Sequence, residues 1–187
     1  MRKLIVSEFV TLDGVMEDPG GADKFIHGGW AFKFERGPEG DKFKLDEVME
    51  AGALLLGRIT YEGFAAAWPS KTGEFADKMN NMPKYIVSST LKEAKWKNSK
   101  LIKNNIVGEV SKLKGIPGGD ILVAGSGQLA QLLTQNNLID EFRLMVYPVI
   151  LGNGKRFFRD SGEVKLMLVE TKLFGSGITL LRYHPAK

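Results

Sequence analysis

Cysteine is missing from the 187-residue chain, and histidine is reduced to His27 and His184. Without cysteine there is no disulfide, no thiol nucleophile, no cysteine-ligated zinc and no zinc deaminase unit. Two histidines far apart in sequence leave a metal centre to carboxylates alone, and no metal site is expected. No apolar run approaches the length of a membrane span. The opening MRKLIVSEFV is basic and then apolar, yet Glu8 interrupts it and no small-residue cleavage site follows. It reads as a first strand and not as a signal peptide, with the cytoplasm as the expected compartment. Charge of one sign is scarce too: 26 Lys and Arg against 22 Asp and Glu leave +4, with the lysines scattered. That balance suits a polyanionic small molecule better than nucleic acid, and neither a nucleic-acid nor a membrane partner is expected.

What the chain does have is apolar material for a single domain over residues 1–187, with 43% of residues hydrophobic. A chain of this size buries roughly 70% of its unfolded surface. The stretch DILVAGSGQLAQLLTQNN, residues 120–137, is its most informative part. Residues 121–124 have the length and branching of a buried strand. Gly125-Ser126-Gly127 breaks it, and Leu129, Ala130, Leu132 and Leu133 follow at helical spacing. A strand, a glycine turn and a helix start leave backbone N–H groups at the positive end of the helix dipole, where glycine lets a phosphate come close. The pattern G-x-G-x-x-A is a variant of the dinucleotide fingerprint; a tight strand-to-helix turn also needs glycine for steric reasons alone. Both readings stand at this point.

Residues 3–10 form the first strand, and Thr11-Leu12-Asp13-Gly14 its turn. Residues 18–40 are rich in glycine and carry Phe25, Trp30, Phe32 and Phe34 without clean periodicity, a long loop that suits a binding flap. Trp30 is either a substrate contact or a plug at the edge of the core. Residues 41–50 are helical, with Leu45, Val48 and Met49 on one stripe, and Asp41 shares it from four residues upstream. That carboxylate is either a helix-start residue favoured by the dipole or a half-buried acid facing a cavity. Residues 53–56 are a second buried strand. Gly57-Arg58-Ile59-Thr60 follows it, and Tyr61, Phe64, Ala65 and Trp68 mark a helix that Pro69 stops. Arg58 can fork onto a phosphate, and Thr60 can cap the helix or bond a phosphate oxygen; an ordinary cap with a surface arginine is the other reading.

Residues 84–88 are a third strand, ending in the hydroxyl cluster Ser88-Ser89-Thr90, which is either turn chemistry or a ligand-binding strand end. Leu101-Ile102 is a short strand, and Ile106, Val107, Val110 and Leu113 make the next helix. After residue 137 the character changes: residues 141–151 are extended, Gly152-Asn153-Gly154 is a turn, and residues 165–172 and 178–183 form a terminal hairpin. The fold class is α/β, a central, mostly parallel sheet flanked by helices and extended by antiparallel C-terminal strands.

Three segments, LLLGRITYEGF (residues 54–64), KYIVSS (84–89) and ILVAGSGQL (121–129), together resemble the dihydrofolate reductase fold. More narrowly, the early LDG, GRITYEGF and LIDEFRLMVYPVILGNGKRFF (138–158) look like the reductase domain of the riboflavin-biosynthesis deaminase-reductases and their stand-alone relatives. The resemblance covers nearly the whole chain. It implies an NADPH-dependent reductase of a small heterocycle, either 5-amino-6-(5-phosphoribosylamino)uracil-like or pterin/dihydrofolate-like. On that basis Gly57, Arg58 and Thr60 touch the cofactor phosphates, and Ser88, Ser89 and Thr90 the adenosine side. Gly125, Ser126, Gly127, Gln128 and Leu129 take the pyrophosphate. Asp41 matches the acid that dihydrofolate reductases use near the pterin and is the expected catalytic residue, with Trp30 the expected substrate contact. Relatives of this kind are commonly dimers, so a homodimer is expected. Two departures matter: Ser126 stands between Gly125 and Gly127, and with no cysteine in these 187 residues the zinc deaminase half is not expected among them.

Reduction also makes sense without the resemblance. Hydride transfer needs a dry cleft with the cofactor's charged end anchored elsewhere. Two helix N-termini at neighbouring strand ends supply such an anchor, and the aromatic loop around Trp30 a dry wall. A hydrolase with Ser126 as nucleophile would need glycine at Ala124 and a histidine partner. A two-halved Rossmann dehydrogenase would not carry its glycine motif so late. The remaining alternative is a nucleotide-binding protein without turnover.

Overall fold

Leu54, Leu55 and Leu56 are all fully buried, which three consecutive residues achieve in a strand covered on both faces. They belong to an eight-stranded sheet in the computed structural model, which describes residues 1–159 and 162–186. Its strands are β1 (Leu4–Thr11), β2 (Ala53–Gly57), β3 (Lys84–Val87), β4 (Ser99–Ile102), β5 (Ile121–Ala124), β6 (Glu141–Tyr147), β7 (Leu166–Leu173) and β8 (Thr179–Pro185). Their order across the sheet is β4-β3-β2-β5-β1-β6-β8-β7. Strands β1 to β6 run parallel, and β8 pairs antiparallel with both β6 and β7. The chain therefore adopts the expected α/β class, with antiparallel strands at its C-terminal end.

The helices are α1 (Gly37–Glu50), α2 (Arg58–Ala67), α3 (Glu74–Asn81), α4 (Ile106–Gly115) and α5 (Gly127–Gln135). Strand alternation divides the core between the two faces. Leu4, Val6, Leu55, Val123 and Phe142 meet Val110 of α4 and Leu129 and Leu133 of α5. Ile5, Leu54, Leu56 and Leu122 point the other way, toward Val48, Tyr61 and Met79 from α1, α2 and α3. A third cluster, with Trp30, Met145, Tyr147, Phe174 and Leu180, lies beneath the aromatic segment. No helix among the described residues is long and apolar enough to cross a membrane.

Three elements differ from the sequence reading. Helix α1 starts at Gly37, with Pro38 in its first turn, so the end of the expected loop is helical. Helix α3 was hidden in the polar run EFADKMNN, whose inner side is marked by Ala76 and Met79. Much of its support is tertiary: the buried Lys84 Nζ donates to the carbonyls of Asn80 and Met82 at 2.9 Å and of Lys97 at 3.0 Å. Burial pushes that ammonium down to about 8. Strand β6 ends at Tyr147 instead of residue 151 because Pro148 has no N–H, and the Val149 N–H turns back to the Tyr147 carbonyl at 2.8 Å.

Candidate functional site

Neighbouring strands deliver two turns to one place. Strands β2 and β5 pair in register from Ala53 opposite Ile121 to Leu55 opposite Val123, so both end at the same edge of the sheet. There the two turns are laced together. The Gly57 N–H donates to Ser126 Oγ at 2.9 Å, Ser126 Oγ lies 3.1 Å from Thr60 Oγ1, and Thr60 Oγ1 donates to the Gly125 carbonyl at 2.7 Å. Gly125 has φ +64°, and a Cβ there would stand 2.9 Å from Thr60 Cγ2, so position and conformation both call for glycine.

This lacing has a consequence for the helices. Ser126 occupies the N-cap position of α5, yet its hydroxyl reaches across to the other turn and does not cap its own helix. Gly57, at the start of α2, has no side chain to cap with. Two helices thus begin side by side without side-chain caps, and their positive dipole ends share one edge. Of the other expected contacts, Arg58 is half-exposed and paired with Glu62 at 2.8 Å. Gln128 is exposed, whereas the side chain of Leu129 belongs to the core and leaves only its backbone for a ligand. Ser88 is buried and closes a local turn by accepting the Leu91 N–H at 2.9 Å, while Ser89 and Thr90 are exposed one strand further along.

From the sequence, Glu8 interrupts the first strand and has no role in the site. Strand β1 pairs with β5 only as far as Ser7 opposite Ala124 but stays paired with β6 to Thr11, so Glu8 is the first residue beyond the end of β5. Its buried carboxylate accepts the N–H groups of Gly125 at 2.9 Å and Ser126 at 3.2 Å. The two leading amides expected to hold a phosphate are therefore already occupied. Burial is the largest influence on this carboxyl and pushes it up to about 8, against the two amides and Lys44, which favour the charge. A glutamate inside an otherwise apolar strand was the available signal.

The other face of β1 carries a chain of ion pairs. Ser7 Oγ donates to Glu47 at 3.0 Å and accepts from Lys44 at 3.0 Å, and Lys44 also pairs with Glu47. Arg143 joins Glu47 at 3.3 Å to Glu141 at 2.7 Å, and Arg182 bonds Glu141 at 3.0 Å. The carboxylate that α1 turns toward the sheet is thus Glu47. Asp41 does not share the inward stripe: it is exposed in the first turns of α1 and paired with Arg36 at 2.9 Å. The stripe is shifted because Gly40, Glu47 and Val48 are the buried positions, with Met49 exposed.

Trp30 also requires correction, because it is fully buried and presents no face to a substrate. Its indole N–H donates to the Glu17 carbonyl at 2.9 Å, and its ring meets Tyr147 edge-on at 5.2 Å. The neighbouring Phe32 and Phe34, with Arg36 and Asp41, instead line a shallow hollow of about 350 Å³. Arg36 lies 5.7 Å from the ring of Phe9, the residue after Glu8, so this hollow and the glycine turn adjoin the same end of β1. A larger groove of about 730 Å³, between α2 and residues 93–97, contains none of the turn residues.

The LDG and LGNG motifs bind one another. The Asp13 carboxylate accepts the N–H groups of Gly152 at 2.9 Å and Leu151 at 3.3 Å, and Val15 bridges to Arg156. This clasp places Met16 over the start of α5, where a Cβ on Gly127 would sit 2.5 Å from the Met16 sulfur.

A family model described as the RibD C-terminal domain matches residues 2–180. The uncharacterised protein YyaP of Bacillus subtilis (strain 168) is 31% identical over 189 residues, covering 98% of this chain and 95% of that protein. Among solved structures, the putative riboflavin biosynthesis protein of Shewanella sp. PV-4 superposes with a TM-score of 0.78 at 20% identity, over 99% of each chain. Dihydrofolate reductase from Enterococcus faecalis, complexed with NADP(H), superposes with a TM-score of 0.62 at 14% identity, over 99% of this chain and 97% of that one. At these identities the superpositions speak for the fold.

Proposed function

The chain belongs to the RibD C-terminal domain family, and from that premise we propose that it is an NADPH-dependent reductase of a small heterocycle. The substrate class is a 5-amino-6-(5-phosphoribosylamino)uracil-like or pterin-like ring. One observation carries this reading: the uncapped starts of α2 and α5 lie together where β2 and β5 end. A diphosphate fits there, because two dipole ends and their unpaired amides converge and Gly57 and Gly125 place no side chain between them. When bound, NADPH supplies the hydride.

The chain's own residues bind and orient. The backbone amides of residues 58–60 and 127–129 hold the diphosphate, with Gly57, Gly125 and Ser126 fixing the two turns relative to each other. Arg58 leaves Glu62 to meet a phosphate, and exposed Ser89 and Thr90, beside Ser88, lie on the adenosine side. Phe32 and Phe34 stack on the substrate ring and keep water out, while Arg36 and Asp41 meet its polar edge. Asp41, open to solvent, relays the proton that accompanies the hydride.

The same reading makes the protein a homodimer. Strand β7 is an edge strand in which Met167, Leu168, Val169 and Leu173 are all exposed, and a second copy covering it would remove both the free edge and the apolar surface. Sedimentation of the purified protein at twice the chain mass is the expected result.

The test is a thermal melt with and without NADPH, followed by cofactor oxidation across a panel of pterins and aminopyrimidines. Saturation at a hundredfold over Kd should add about 2.7 kcal/mol to stability and raise Tm clearly. An unmoved Tm overturns the reading. Binding without oxidation across the panel would favour a nucleotide-binding protein without turnover. The observation on that side is Glu47, whose inward carboxylate is held by Lys44, Ser7 and Arg143.

A further inference from the structure

The glycine turn already holds an acidic group, and that group is part of the chain. Both oxygens of Glu8 are engaged, one by the Gly125 N–H and the other by the Ser126 N–H. These are the amides that a phosphate at a strand-turn-helix crossing would seek. We infer that Glu8 is a positioning residue which acts as a built-in acidic group at the turn: it sets the turn's shape, confines a ligand's diphosphate to the amides of residues 127–129, and opposes that diphosphate whenever it is ionised. This rests on the reading of the crossing as a dinucleotide site.

The surroundings make the opposition strong. Lys44 and Glu47, both from α1 on the other face of β1, are the charged groups whose influence reaches Glu8, and they act in opposite senses. Glu47 is itself bonded to Arg143 of β6, whereas the β6 residue in register with Glu8 is the apolar Leu144. Strand β5 and the first turn of α5, ILVA and GQLA, contribute no charged side chain. No cation bonds the Glu8 carboxylate directly among the described residues, so its charge is held by two amides in a buried setting. Like charges brought together there are screened far less than in water. With burial pushing this carboxyl to about 8, its charge changes in the neutral to mildly alkaline range. Anion affinity is then highest where Glu8 is protonated and falls as it ionises.

The experiment is a pH series of binding titrations with NADH and NADPH on the intact protein, from about pH 6.5 to about pH 9.5. NADH is the informative probe, because it lacks the phosphate monoester that titrates near pH ~6. For the wild type, Kd for NADH should rise roughly tenfold across the range, the extent expected when bound ligand moves the titration midpoint of one group by about one pH unit. Glu8→Gln should flatten this slope and bind at least as tightly as wild type at the alkaline end. Should Glu8→Gln fail to fold, the wild type still answers: by reciprocity, saturating NADH must raise the pH at which the Glu8 side-chain carbon titrates by NMR. A flat wild-type series, an unchanged slope in Glu8→Gln, or a Glu8 titration unmoved by ligand overturns the role given to Glu8 and leaves the cofactor reading in place. Absence of binding by either dinucleotide at every pH overturns both.

Discussion

Glu8 in β1 and Glu141 in β6 are buried carboxylates on adjacent strands, held in opposite ways. Glu141 is surrounded by cations, Arg143 at 2.7 Å, Arg182 at 2.9 Å and Lys3 at 3.8 Å, with the His184 ring at 3.4 Å. Burial works against its charge, but the two arginines outweigh burial and hold the carboxyl below its ordinary value. Glu8 has two amides and, among the described residues, no bonded cation, and there burial wins, pushing it to about 8. A carboxylate locked by fixed cations is scaffold. One held by amides beside an open helix start is poised to respond to a ligand.

The largest expected effect breaks the scaffold side of this comparison. Glu141→Gln leaves Arg143 and Arg182 buried or half-buried without their shared partner, and it should cost about 3–5 kcal/mol in urea unfolding. Glu8→Gln keeps one acceptor for the two turn amides and should cost less, about 1–3 kcal/mol. Equal losses would erase the distinction between the two carboxylates.

Stability against pH sharpens it further. Glu8 keeps its proton to about pH 8 in the folded state, against an ordinary value of 4.5. Its contribution is therefore complete below about 4.5 and is lost as pH rises toward about 8. Glu141 has the reverse sign: its contribution is present above 4.5 and is lost as pH falls through its lowered folded value. Urea midpoints measured across this range should lose their downward slope in Glu8→Gln, and their acid-side loss should shrink in Glu141→Gln.

Smaller effects belong to the turn itself. Gly125→Ala forces a side chain into the left-handed region and against Thr60, at about 1–2 kcal/mol, and should weaken NADPH because the two turns no longer lace. Arg58→Ala should leave stability within about 0.5 kcal/mol while weakening NADPH roughly tenfold more than NADH, as befits an exposed arginine that meets a phosphate. An equal loss for both dinucleotides would remove the argument that Arg58 selects NADPH through its extra phosphate.

What could be read from the sequence followed from local chemistry. Gly57 and Gly125 announced two strand-to-helix turns, and the structure sets them side by side, joined through Ser126 and Thr60. Apolar runs marked β2 and β5, and the extended runs 165–172 and 178–183 marked the terminal hairpin. The residues misread were those decided by tertiary neighbours. Trp30 was drawn into the core by Tyr147 and Glu17, and α3 relied on a lysine that follows it in sequence. On α1 the expected inward position of Asp41 went to Glu47, because buried partners, Ser7, Lys44 and Arg143, make a charged residue tolerable there. Glu8 was visible only as an interruption of an apolar strand. Its meaning depends on β5 ending one residue earlier, which no local pattern records.

The most direct test of the account is a map of backbone amide shifts during titration with NADPH. The largest and earliest changes should fall on residues 58–60 and 127–129, the open starts of α2 and α5. Changes centred instead on the groove around Tyr61 and Trp96, with both helix starts unmoved, would contradict it.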